Sequence, residues 1–240
     1  MKNLKLAKVL SVGALSALLL TACGGQEQSS SEPKEDPKPA EQKEVSNKEE
    51  ETTESAATNG SSKPEKDKNG KVTFTEAGQK DDVDGGTLEL LKIKTINETI
   101  EVAPIKVTIK DIKLFKMSNL DDETKEFMSI YNDNQPVGDE FIYVQVAYDA
   151  ENLEEKNIGW STLMNAVTDK GQQVNVDSND FIYTDSDGDS EFLGKVKKEF
   201  ADGFIVKDPD IAKLKLIWGN TFDTDTYDTI TNEQQVEYQF

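Results

Sequence analysis

The sequence predicts an all-β domain, an antiparallel β-sandwich that holds at most one short helix and follows a disordered N-terminal tether. Three observations carry this prediction. Short segments of alternating or β-branched apolar residues recur from residue 87 to the C-terminus. Turn sequences such as Asp169-Lys170-Gly171, Asp187-Gly188 and Asp202-Gly203 separate several of them. Helical periodicity is confined to one stretch, and many short strands with one modest helix are typical of a sandwich.

The N-terminus combines a basic start, an apolar run and the only cysteine of the chain. The apolar run over residues 9–20 follows three lysines and is too short to span a bilayer, which is typical of a secretory signal peptide. The ending Leu20-Thr21-Ala22-Cys23 resembles the bacterial lipobox, an aliphatic residue and two small ones before a cysteine. We therefore expect residues 1–22 to be a lipoprotein signal peptide that is cleaved between Ala22 and Cys23. The alternative is an ordinary signal peptide with a chance cysteine at its end.

Lipidation of Cys23 would decide where the protein works. In proteins with a lipobox the cysteine thiol receives a covalent diacylglycerol lipid, and two or more acyl chains give stable anchoring at about 0.8 kcal/mol per buried methylene. The expected location is therefore the outer face of the cell membrane, with the lipid anchor as the membrane contact and the protein reaching into the cell wall. A lipidated Cys23 leaves no thiol for catalysis or a disulfide.

Residues 23–70 have the composition of a tether. Between residues 24 and 70 no aromatic residue occurs, and Val45 is the only branched aliphatic one. Such a segment cannot bury enough apolar surface to offset its chain entropy, so we expect disorder. The folded part is expected to consist of an N-terminal β extension over residues 71–103 and a sandwich over residues 104–240.

Composition excludes several classes of function. The chain has no histidine, and all 27 of its basic residues are lysine. Serine-histidine and cysteine-histidine nucleophile pairs, ordinary zinc sites and arginine clamps for phosphate are therefore excluded. The formal net charge of −20 repels nucleic acid, so no nucleic-acid partner is expected. The same charge favours cations and basic partners, or serves only to keep an exported protein soluble.

Residues 141–148 give the clearest strand signal. Ile142, Val144, Val146 and Tyr148 alternate on one face, and the other face also carries apolar residues, as in a central strand of a sandwich. Residues 105–109 alternate as well, until the polar pair Lys110-Asp111 shifts the phase and predicts a β-bulge.

The remaining elements follow from shorter patterns. Strands are predicted over residues 87–95, 98–102, 163–168, 196–200, 204–206, 214–218 and 236–240. The helix is predicted over residues 120–131, with Ser118 or Asn119 as its N-cap, acidic residues in its first turn, and Phe127 and Ile130 on one side.

Four of these segments carry a resemblance to a known family. They are GDEFIYVQV at residues 138–146 with Asn152 following, NAVTDKG at 165–171, ADGFIV at 201–206 and LKLIW at 214–218. In this order they resemble a family of Gram-positive (Firmicutes) cell-envelope lipoproteins with an immunoglobulin-like domain of unknown function, similar to a mycobacterial secreted antigen. The resemblance covers residues 105–218 and implies an immunoglobulin-like sandwich at the cell envelope. It implies no catalytic residues.

An acidic loop is the sharpest local signal for a ligand. Its alternating carboxylates at Asp185, Asp187, Asp189 and Glu191 flank Gly188 and could direct oxygen ligands to Ca²⁺, which takes six to eight of them. The spacing is not that of an EF-hand. The alternative is a solvated hairpin loop, since an acidic chain produces such clusters readily.

Aromatic residues offer a second candidate surface. Five of them could line a platform for a carbohydrate or peptide, or could fill the sandwich core. They are Trp160, Tyr183, Trp218, Tyr227 and Tyr238. We expect Trp218 in the core and Trp160 at the surface.

Three classes of function remain open. The first is a non-enzymatic binding or accessory module whose partner is an unknown envelope protein or glycan. The second is a calcium-dependent envelope or adhesion module. The third is a glycan hydrolase that uses a pair of carboxyl groups, one of them with a raised pKa. The first is preferred, with no catalytic residues and no cofactor besides the lipid on Cys23 and a potential Ca²⁺ in the acidic loop.

Overall fold

The computed structural model describes residues 63–68, 72–182 and 190–240. Every strand pair in these residues is antiparallel, and only two helices interrupt the strands. The prediction of an all-β, immunoglobulin-like antiparallel sandwich is confirmed. The predicted signal peptide, Cys23, most of the tether and residues 185–189 of the acidic loop lie outside the described residues.

The elements are numbered in chain order. The strands are β1 Glu65–Lys66, β2 Val72–Thr73, β3 Lys80–Val83, β4 Gly86–Val102, β5 Ile105–Ser118, β6 Glu140–Asn152, β7 Ile158–Trp160, β8 Leu163–Thr168, β9 Gln173–Asn175, β10 Glu191–Phe192, β11 Lys197–Val206, β12 Lys213–Trp218, β13 Thr221–Asp223, β14 Thr229–Thr231 and β15 Gln234–Gln239. The helices are α1 Asp122–Ile130 and α2 Val176–Asn179.

The described strands form three larger sheets and one sheet of two strands. A five-stranded sheet has the order β11-β6-β5-β4-β3, and two four-stranded sheets have the orders β15-β12-β8-β9 and β10-β7-β13-β14. Strands β1 and β2 pair with each other. The main core lies between the five-stranded sheet and the two four-stranded sheets, because buried residues from all three belong to one apolar cluster.

The two tryptophans lie side by side in this core. Both are fully buried, with their ring centroids 5.9 Å apart. The prediction for Trp218 is confirmed, and the prediction that Trp160 lies at the surface is wrong. Trp160 ends β7, which is paired on both sides, and its indole Nε1 donates a hydrogen bond of 3.2 Å to the carbonyl oxygen of Gly219. A buried indole N–H needs such a partner.

A second apolar cluster covers the outer face of the five-stranded sheet. Phe115 from β5 and Tyr143 from β6 stack with centroids 5.2 Å apart, and Met128 from α1 belongs to the same cluster. Burial raises the pKa of the Tyr143 phenol. Strand β6 is therefore apolar on both faces and central in its sheet, as the sequence predicts.

The β-bulge predicted at Lys110-Asp111 is present. Ile109 pairs with Tyr148 and Asp111 pairs with Ala147, which leaves Lys110 as the extra residue. Its ammonium lies 2.6 Å from the Asp149 carboxylate, and Lys197 lies 2.7 Å from the same group. Burial opposes ionisation of Asp149, but these two lysines hold its pKa below the ordinary value.

Two pairs of predicted strands are continuous in the structure. The segments at 87–95 and 98–102 are joined in β4, whose register shifts between Leu90 and Lys92 and between Thr95 and Glu98. The segments at 196–200 and 204–206 are joined in β11, so the turn predicted at Asp202-Gly203 is wrong. Gly203 instead allows close packing, since a Cβ there would collide with the side chain of Ile182.

Two further elements concern the N-terminal boundary and the helix content. The boundary predicted at residue 70 lies between β1 and β2 along the chain and stays a prediction; Lys66 of β1 forms a 2.6 Å ion pair with Asp81 of the five-stranded sheet. The limit of one short helix is exceeded by α2, a single turn whose cap, Asn175, accepts a 3.3 Å hydrogen bond from the amide of Ser178. No helix among the described residues is long and apolar enough to cross a membrane.

Candidate functional site

Helix α1 begins two residues later than predicted. Asp121, rather than Ser118 or Asn119, caps it, and the Asp121 carboxylate accepts a 2.7 Å hydrogen bond from the amide of Thr124. Asn119 has a φ of 55°, and this local reversal places Leu120 in the second apolar cluster before the helix starts. The hydrogen bonds from the Thr124 backbone and side chain hold the pKa of Asp121 below its ordinary value.

The apolar side of α1 does not face the core. The helix packs through Met128, which is buried, whereas Phe127 is 51% exposed and Ile130 is 56% exposed. The rings of Phe127 and Tyr131 are in edge-to-face contact, with their centroids 5.3 Å apart. This contact orients the Phe127 ring but does not cover it. Phe127 and Ile130 share one side, as predicted, and that side faces solvent.

A groove of 460 Å³ lies between α1 and the turn that joins β3 to β4. The turn contributes two residues and the helix region six. The lining residues are Asp84, Gly85, Asp121, Glu123, Thr124, Glu126, Phe127 and Ile130. We call this feature the α1 groove.

A glycine permits the close approach of the turn to the helix. Gly85 has a φ of 81°, and a Cβ at this position would collide with Thr124 Oγ1. The carbonyl oxygen of Gly85 also accepts a 3.3 Å hydrogen bond from the amide of Asp121. This turn was not predicted to be part of a site, although the dipeptide Asp84-Gly85 is a strong turn signal.

The lining of the α1 groove is acidic. It contains four carboxylates, from Asp84, Asp121, Glu123 and Glu126, and no lysine. The only lysine of the helix, Lys125, points its ammonium at other acids, 2.8 Å from Asp139 and 3.7 Å from Asp122. The hydrogen bond to Asp139 raises the pKa of Lys125 and lowers that of Asp139. Lys125 therefore forms its ion pairs with carboxylates that do not line the groove.

The predicted calcium loop is represented in the described residues by Glu191 alone. Asp185, Asp187 and Asp189 lie outside them, so the calcium prediction stays a prediction. Glu191 is exposed and pairs with Gly159 at the start of β10, where its carbonyl oxygen accepts a 2.7 Å hydrogen bond from Lys198. Among residues 63–68, 72–182 and 190–240, no group of three or more acidic or cysteine side chains could hold a metal ion.

The predicted aromatic platform is not assembled as one surface. Trp160 and Trp218 are in the core, and Tyr183 lies outside the described residues. Tyr227 is exposed and stacks on Phe222 with centroids 6.2 Å apart. Tyr238 is half-buried in β15, where burial and the charge of Glu98 raise its pKa to about 12.

Comparisons with known proteins return structures without an assigned activity. No protein-family model matches the chain, and no curated protein matches it. A functionally unknown protein from Listeria monocytogenes EGD-e is 11% identical, with 65% of this chain and 88% of that chain covered at a TM-score of 0.45. A conserved hypothetical protein from Bacillus anthracis is 12% identical, with 60% and 96% covered at a TM-score of 0.33.

Proposed function

We propose that this chain is a lipoprotein anchored to the outer face of the cell membrane, where it acts as a non-enzymatic binding module for an envelope protein. The lipobox ending at Cys23 supports the anchor, and the resemblance to envelope lipoproteins supports the location. The α1 groove supports the binding role, and it is the observation that carries the proposal. Phe127 and Ile130 expose apolar area beside one another at a concave surface, which is typical of a protein-binding site.

One carboxyl group of the groove, Asp121, is unsuited to the general acid role that hydrolysis needs. A carboxyl group that acts as a general acid needs a raised pKa. The pKa of Asp121 is shifted in the opposite direction by the hydrogen bonds from Thr124. Asp121 is also engaged as the helix cap, so it is not free to donate a proton to a substrate.

Detergent phase partitioning tests the anchor. Wild type made in its bacterial host should enter the detergent phase, and Cys23→Ala should stay in the aqueous phase because it cannot receive the diacylglycerol. Equal partitioning of the two proteins would refute lipidation at Cys23.

Site-specific cross-linking tests the binding role. A photoreactive phenylalanine analogue at position 127 should capture one discrete envelope protein in living cells, identified by mass spectrometry. The same analogue at Tyr227 is the matched control, because Tyr227 is also an exposed aromatic residue but does not line the groove. Absence of an adduct at position 127, or the same adducts at both positions, would refute the groove as the binding site.

A further inference from the structure

We propose that the α1 groove recognises a cationic amphipathic segment of its protein partner, in which lysine or arginine side chains flank apolar anchors. This inference rests on the proposed binding function and adds the chemistry of the partner. It follows from the charges of the lining, from the order of residues along α1 and from the rigidity of the groove wall.

The charges of the groove lack a counterpart within its lining. Four carboxylates surround the groove, while Lys125 is held by Asp139 and Asp122 outside it. The hydrogen bond from the Thr124 amide keeps Asp121 ionised to a lower pH than usual. A partner with basic side chains would form ion pairs with these carboxylates. An anionic or purely apolar partner would remove carboxylates from water without supplying a positive charge in exchange.

The apolar anchors lie on the same side of the helix as two of the acidic residues and follow them along the chain. Glu123 and Phe127 are four residues apart, as are Glu126 and Ile130, so each acid is a neighbour of one apolar side chain. This arrangement matches a segment in which basic and apolar residues also alternate along one face. Apolar contacts would supply affinity and the charges would set orientation and association rate.

The wall of the groove is preformed. Gly85 contacts Thr124 closely, and its carbonyl oxygen accepts a hydrogen bond from the amide of Asp121, so the turn and the first turn of α1 are tied together. A partner therefore meets a groove wall and an Asp121 carboxylate that are already positioned, which reduces the ordering required on binding.

The test uses residues 24–240, the predicted mature chain without its lipid-bearing Cys23, and a fluorescent helix-forming peptide of leucine and lysine in fluorescence anisotropy. Wild type should bind the peptide, and raising the salt concentration should weaken binding because the charges are exposed. Glu123→Gln combined with Glu126→Gln should weaken binding roughly 2- to 30-fold, the range expected for two exposed ion pairs. Phe127→Ala should weaken it by about 30-fold, as for a central aromatic anchor.

A matched charge control separates the groove from the overall negative charge. Glu154→Gln combined with Glu233→Gln removes two exposed carboxylates elsewhere and should leave peptide affinity unchanged. All substituted side chains are exposed, and circular dichroism melts should confirm that every variant folds. Equal losses in the two double variants would refute the inference, since peptide binding would then reflect net charge alone.

Two further outcomes would overturn the inference while leaving the binding function intact. One is equal affinity for an analogue in which glutamine replaces every lysine, which would assign the groove to a neutral apolar partner. The other is cross-linking at position 127 to a partner whose contacting segment carries no basic residue. Absence of any cross-link at position 127 would instead refute the binding function itself.

Discussion

Replacing Trp160 and Trp218 singly by phenylalanine should separate the effect of one buried hydrogen bond from the effect of lost volume. Both side chains are fully buried and lie against each other, so the same substitution removes a similar volume in each case. The two indoles differ in their polar contact. Trp160 Nε1 donates to the carbonyl oxygen of Gly219 at 3.2 Å, whereas Trp218 Nε1 has no hydrogen-bond partner among the described residues.

The magnitude follows from this difference. Trp160→Phe leaves the buried Gly219 carbonyl oxygen without its indole donor, which costs about 1–3 kcal/mol beyond the volume term. Trp218→Phe removes a buried donor that lacks a partner, so it carries no such penalty. Trp160→Phe should therefore be the more destabilising by at least about 1 kcal/mol. A domain of this size then shows a difference in melting temperature of about 2–4 °C for each kcal/mol.

Urea denaturation is the appropriate assay. The chain contains two tryptophans, so each variant retains one indole whose fluorescence reports unfolding, and circular dichroism gives an independent transition. The slope with urea should be equal in the two variants, which would show that they unfold to similar states. A Trp218→Phe protein as destabilised as Trp160→Phe, or more so, would refute the assignment of the hydrogen bond.

Two other predictions concern the core and the acid response. Val144→Asp places a carboxylate at a fully buried position of β6, so the free energy of unfolding should fall by several kcal/mol and a cooperative melt should be lost; a cooperatively melting variant would contradict the facing of this strand. The ion pair with Lys156 and the amides of Thr226 and Asp225 lower the pKa of Asp223 to about 2. Because the unfolded value is about 3.9, this stabilisation is complete above about pH 4 and is lost as the pH falls towards 2. The melting temperatures of wild type and Asp223→Asn should therefore differ at pH 6 and converge near pH 2, and a constant difference would contradict the assignment.

Local periodicity in the sequence was sufficient to predict the long strands of the core, but not the short strands β7, β9 and β10, which also contribute buried residues. Strand β6 shows why: its apolar alternation on both faces belongs to a central strand, and the polar pair Lys110-Asp111 can keep β5 in phase with β6 only through a bulge. The continuity of β11 could not be predicted, because Asp202-Gly203 has the composition of a turn. Its place within β11 depends on the packing of Ile182 against Gly203, which is a tertiary contact.

The α1 groove depended on information that the local sequence does not contain. Phe127 and Ile130 have the spacing of a core-facing pair, and only the docking of Met128 into the second cluster turns them to solvent. Trp160 shows the opposite error, because the residues around it resemble a loop while β10 and β13 enclose its strand. In both cases tertiary packing decided which side of a short element is buried.

The connectivity of the five-stranded sheet bears on how the chain folds. Strands β3, β4, β5 and β6 are neighbours both in the sheet and along the chain, so they form a meander whose connections are shorter than those that the later pairings close. Strand β11, and the pairing of β12 with β8, require closure of much longer loops. Topology of this kind favours early formation of the meander, with later docking of the C-terminal strands as the slow step. The groove at α1 is carried between β5 and β6, and its site would thus be built on the part of the domain that forms first.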